Sequence, residues 1–141
     1  MTRFEGGCLC GDVRYSCDKV LMTAHCHCLD CRKSSGTDHC THVMTQENQV
    51  SISGKVSFFE KAADSGAIVS RGFCGRCGSA LYSTKADMPG VMFLRASCLD
   101  DPEIVKPEVT VYTKQALSWS MIDPALPRFE EMPPATAMPS N

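Results

Sequence analysis

AIVSRGFCGRCGSALYST, residues 67–84, reads as strand, turn and strand around a pair of cysteines. The flanking runs AIVSRGFC and SALYST carry the β-branched and aromatic residues that suit a pleated surface. Between them CGRCG, residues 74–78, is a CxxC followed by glycine, with which a zinc knuckle turns its backbone so that amides face the sulfurs. A thioredoxin-like redox site competes for the same residues, but it needs the CxxC to open a helix after a strand. Here a strand follows. A knuckle supplies two ligands, Cys74 and Cys77, and a tetrahedral site takes four.

CLCG, residues 8–11, is the natural second pair. Zinc–thiolate bonds of about 2.3 Å put tetrahedral sulfurs roughly 3.8 Å apart. Cys8 and Cys10 reach that spacing on a strand that Gly6, Gly7 and Gly11 allow to curl. The resulting four-thiolate site ties the N-terminal strand to a hairpin far along the chain, a structural role.

The rest of the chain repeats the strand-and-turn pattern. DVRYSC, HCTHVMT, VSFFEK, VMFLRASC and EVTVYT are short runs rich in Val, Phe, Tyr and Thr, separated by TQENQ, ISGK, KAADSG and ADMPG. This spacing predicts an all-β fold of small antiparallel sheets. No window sustains the period of a long helix. Short helical pieces are expected at LDCRKSS, residues 29–35, with Asp30 helping to cap the start, and near KQALSW, residues 114–119. The length of 141 residues suits one domain, residues 1–130, followed by a flexible Pro-rich tail, EMPPATAMPSN, at 131–141.

Charge and cysteine usage then limit function. Fourteen Lys and Arg stand against sixteen Asp and Glu, a formal charge of −2, and no run of five like charges occurs, so the footprint of a nucleic-acid binder is missing. No stretch has the length of a signal peptide or a membrane span, which places the expected protein in the cytoplasm. There, ten cysteines point to metal or thiol chemistry rather than to five disulfides.

The third cluster, CHCLDC at 26–31, holds Cys26, Cys28 and Cys31 and stops one ligand short. It is either a second structural site completed by His25, His27, His39, His42, Cys17, Cys40 or Cys98, or a catalytic zinc whose fourth position is left to water or substrate. His27, lying between two ligands, is expected to point away from the metal. Three thiolates on a zinc dication leave a net charge of about −1, which blunts Lewis acidity and suits holding a substrate thiol as thiolate.

In order, CxC, CxCxxC followed by RKSSG, RGFCGRCGSALY, ASCLDDP and LPRF resemble the family of glutathione-dependent formaldehyde-activating enzymes, related to centromere protein V. The resemblance runs from Gly6 to Phe129 and departs at Cys98, where a serine or threonine is more usual. It implies a zinc-bound β-tent, with Cys8, Cys10, Cys74 and Cys77 matching structural zinc ligands and Cys26, Cys28 and Cys31 matching catalytic ones, hence two zinc ions per chain. The implied reaction adds glutathione to formaldehyde, giving S-hydroxymethylglutathione, the work of a carbon–sulfur lyase run in reverse. The centromere-protein relationship suggests the alternative, a non-catalytic zinc module that binds a partner. Arg32, Lys33 and Arg71 flank the clusters and either pair with substrate carboxylates or offset the negative zinc–thiolate centres. Cys17, Cys40 and Cys98 read as small buried hydrophobes, and Trp119 as packing the C-terminal segment onto the sheet.

Overall fold

The computed structural model describes residues 3–133. The tail expected from residue 131 therefore lies, from 134 on, outside the described residues. Strands are the main regular structure among these residues. β1 (Phe4–Gly7), β2 (Arg14–Cys17) and β5 (Val50–Ser53) form a three-stranded antiparallel sheet in the order β1-β2-β5. A second sheet of seven strands has the order β10-β3-β4-β9-β8-β7-β6. Its members are β3 (Met22–Cys26), β4 (Cys40–Gln46), β6 (Val56–Ala62), β7 (Ile68–Cys74), β8 (Ala80–Lys85), β9 (Val91–Arg95) and β10 (Val109–Val111). The one α-helix among the described residues, α1 (Leu29–Ser35), bridges β3 and β4.

The all-β expectation holds, with a larger second sheet than the sequence suggested and one parallel pairing, β10 on β3. Val109, Thr110 and Val111 are all buried, as befits a strand covered on both sides. The expected N-terminal strand is β1, whereas β3 and β5 escape the sequence reading. MTAHC and VSIS are only five and four residues long and are stabilised by their neighbours rather than by their own composition.

Burial follows the pleat where the sequence alternates. In β2, Tyr15 and Cys17 point inward while Arg14 and Ser16 stay nearer solvent. The main core lies between the sheets, where Phe4, Val13, Tyr15 and Cys17 meet Val43, Leu81, Met92 and Leu94. Leu81 and Leu94 are fully buried, each contributing roughly 1.5–3 kcal/mol. A smaller cluster gathers Met22, Cys26, Cys31, Cys40, Val109 and Val111. Gly6 serves a close approach rather than a curl, since a Cβ there would lie 2.4 Å from the Cys98 carbonyl oxygen and 2.5 Å from the Tyr15 hydroxyl. Trp119, expected against the sheet, is instead 66% exposed.

Candidate metal centres and the cleft they flank

The first cysteine pair sits in the turn that follows β1, and the second at the end of β7 and in the knuckle before β8. All four sulfurs, of Cys8, Cys10, Cys74 and Cys77, lie within 4.8 Å of one another. Cys8 Sγ is 3.6 Å from Cys10 Sγ, and Cys10 Sγ is 3.8 Å from Cys74 Sγ. Those separations fit the edge of a tetrahedral zinc–thiolate site. The backbone prepares them. The Val13 N–H donates to Cys8 Sγ at 3.2 Å, and the Leu9 N–H donates to Ser79 Oγ, itself 3.3 Å from Cys77 Sγ. Gly11 and Gly78, at φ of 85° and 79°, take the left-handed turns that close the two loops. Hydrogen bonds from Ser79 hold the Cys77 thiol down to about 5.

The triad is built by a strand end and a helix start. Cys26 closes β3, Cys28 is the N-cap of α1, and Cys31 lies in the first turn. The Cys31 N–H donates to Cys28 Sγ at 3.2 Å, so sulfur, not the Asp30 carboxylate, caps this helix. Asp30 instead accepts from Lys61 Nζ at 2.8 and 3.0 Å, with Arg71 4.0 Å away. The three triad sulfurs lie within 4.8 Å of one another. Donation from the Cys26 and Cys31 thiols holds Cys28 down to about 2, while the shared bond to Cys28 pushes Cys26 up to about 12.

Of the seven sequence candidates for a fourth ligand, two come near. His42 Nε2 is 3.4 Å from Cys31 Sγ, and the Cys40 thiol donates to the Cys31 carbonyl. Both group with Cys31 but not with Cys26 and Cys28, and among the described residues no fourth side chain joins all three. Cys17 belongs to the main core, with Cys98 packed against it. His25, His27 and His39 face away from the cleft. The pleat explains this, because Cys26 pairs with Cys40 and His25 with Thr41, so successive residues alternate faces.

On the triad side opens a cleft of about 700 Å³ lined by all three cysteines. Met22, Met44 and Phe93 make its wall apolar, and Lys61, Arg71 and Lys85 bring positive charge. The ladder sets that charge in place: Lys61 pairs with Val69 and Val69 with Lys85, one row across β6, β7 and β8, with Arg71 two residues on. Of the three cations named from sequence, Arg71 lines the cleft, whereas Arg32 and Lys33 do not. Tyr112 also lines it, and it is the one non-glycine residue among those described with positive φ, 58°. Sequence reasoning missed Lys61 and Lys85, which carry no motif and arrive by strand register, and Tyr112, which follows directly on β10.

The sequence profile of the glutathione-dependent formaldehyde-activating enzymes matches residues 3–115. The chain belongs to this family. Membership accords with both cysteine groups, whose donor chemistry fits a soft divalent metal. The fold is similar to a crystal structure of a Rhodobacter sphaeroides protein, at 14% identity and a TM-score of 0.58, over 89% of this chain and 98% of that one. No curated protein matches. Among the described residues of this family member all ten cysteines are free, and no helix is long and apolar enough to cross a membrane.

Proposed function

We propose that this protein is a cytoplasmic zinc-dependent carbon–sulfur lyase whose single zinc-binding domain, residues 1–130, joins glutathione to formaldehyde or a related small electrophile. The observation that carries the reading is the open triad: three convergent sulfurs on the wall of a cleft, with no fourth side chain completing the set. On this reading Cys26, Cys28 and Cys31 hold the catalytic zinc, and Cys8, Cys10, Cys74 and Cys77 the structural one. A zinc ion bound at the triad supplies a soft cation that keeps an incoming sulfur as thiolate.

The residues of the chain do the rest. Arg71 and Lys85 meet the two carboxylates of glutathione, and Asp64, on the same cleft, meets its ammonium group. Met22, Met44 and Phe93 exclude water from the reacting sulfur. Burial, with the sulfurs of Cys26 and Cys28 nearby, pushes the Tyr112 phenol up, so it remains an O–H donor available to the aldehyde oxygen. The S–C bond forms as the carbonyl electron pair moves onto oxygen, which takes the proton given up by the thiol. Holding both reactants side by side supplies much of the advantage.

Thiols add to formaldehyde unaided, so the test is exchange spectroscopy between free and adducted formaldehyde at equilibrium. Wild type should accelerate exchange over buffer, and Cys28→Ser should not. Equal rates for wild type, variant and buffer, in protein shown to hold both zinc ions, reject this pair of substrates and leave another thiol or the partner-binding module.

A further inference from the structure

Behind the triad, on the opposite face of β3 and β4, lies a second cluster that the thiol chemistry does not use. The Cys26–Cys40 pairing, continued by one residue, sets His27 beside His39. Their rings stack with centroids 5.0 Å apart and planes 24° from parallel, and His25 meets His39 edge-on at 5.0 Å. Asp38 completes the group, its Oδ1 2.8 Å from His39 Nδ1. The ligand-capable atoms of His27, Asp38 and His39 all lie within 4.8 Å of one another.

We infer that His27, Asp38 and His39 form a third metal site, distinct from both cysteine groups, that takes a divalent transition metal on two imidazoles and a carboxylate. The independent observation is at His27, a residue 2% exposed whose Nδ1 is buried with no hydrogen-bond partner. A buried polar atom left unpaired is costly, and an imidazole lone pair is the kind a cation fills. The donor set is too nitrogen-rich for magnesium or calcium, which favour all-oxygen shells. Support around it is in place: Thr37 Oγ1 donates to Asp38 Oδ1, and Thr41 Oγ1 is 2.8 Å from His25 Nδ1. An entry path exists too, since His39 is 29% exposed at its side chain and lines a depression of about 560 Å³ shared with His25, Thr37 and Thr41.

Cobalt(II) titrated into untagged protein whose thiolate sites are already filled with zinc tests the site. Wild type should take up one further equivalent per chain, counted by elemental analysis, with weak visible d–d bands and none of the intense near-ultraviolet charge transfer that thiolates give. The resonances of the His27 and His39 ring protons should broaden. His39→Ala, at a partly exposed position that leaves the core intact, should lose that equivalent while keeping its zinc and its circular dichroism spectrum; Asp38→Asn should weaken uptake tenfold or more. No uptake by wild type beyond the zinc already held, or uptake that His39→Ala leaves unchanged, overturns the inference.

Discussion

Replacing a single sulfur should destabilise the fold or spare it according to which cluster it leaves, and the chain length closed by each cluster gives the size. Cys10 and Cys74 are 64 residues apart. A cross-link closing a loop of that length removes unfolded-state entropy equivalent to about 4 kcal/mol in the chain-entropy description. A metal held by both pairs acts as such a cross-link. At about 2–4 °C per kcal/mol for a chain near this size, Cys74→Ser should lower the melting temperature by roughly 10–15 °C. Cys10→Ser should match it although Cys10 is less buried than Cys74, because the loss comes from the clamp and not from the vacated core. Cys28→Ser is the contrast. The triad spans six residues and closes no long loop, and serine is itself a favoured N-cap, so α1 keeps its first bond. Its melting temperature should fall by no more than about 3 °C. The assay is differential scanning calorimetry of untagged protein at one fixed free-zinc concentration, the melt being concentration-dependent in any bound metal. If Cys28→Ser melts with Cys74→Ser, or Cys10→Ser with wild type, the division into clamp and open site is wrong.

A graded chelator titration followed by elemental analysis should remove the triad metal first and the four-cysteine metal later, with the melting temperature falling by no more than about 3 °C at the first step and by roughly 10–15 °C at the second. Arg71→Ala should raise KM for glutathione by about tenfold or more, the worth of a charge-assisted bond, while leaving KM for an uncharged thiol such as 2-mercaptoethanol unchanged; equal rises for both remove Arg71 from carboxylate recognition. Leu81→Ala, at a fully buried position in the main core, should cost about 2–5 kcal/mol in urea denaturation, and a loss under about 1 kcal/mol would show that the sheets close over the cavity.

What could be read in the sequence was whatever lies close along the chain. The helix at LDCRKSS falls on α1 residue for residue, and the knuckle at CGRCG supplies two of four clustered sulfurs. The link between Cys8–Cys10 and Cys74–Cys77 was legible because tetrahedral geometry demands a second pair and the sequence offers one nearby in chemistry. The basic side of the cleft was not legible. Lys61 and Lys85 stand in unremarkable strand sequences and converge only because each pairs with Val69, a consequence of register that no local pattern encodes. The cap of α1 was misassigned to Asp30 because carboxylates usually win that position. Here Cys28 already sits at the N-cap, and Asp30 is drawn off by Lys61.

That small exchange of roles bears on how the cleft works. A seven-residue helix is too short to persist alone, so α1 must be fastened from outside. The Leu29 N–H donates to Gln115 Oε1 at 2.8 Å, Arg95 donates to Ser34 Oγ at 3.0 Å, and Lys61 holds Asp30. Lys61, Asp30 and Gln115 all line the cleft. The helix that carries Cys31, with Cys28 at its cap, is thus held by groups on the wall of the cleft. A carboxylate arriving at Arg71 or Lys61 competes directly with Asp30 for the same cations. On the proposed reading, binding of a charged thiol would thereby be tied to the set of the triad, whereas an uncharged thiol would reach the sulfurs without disturbing that pairing.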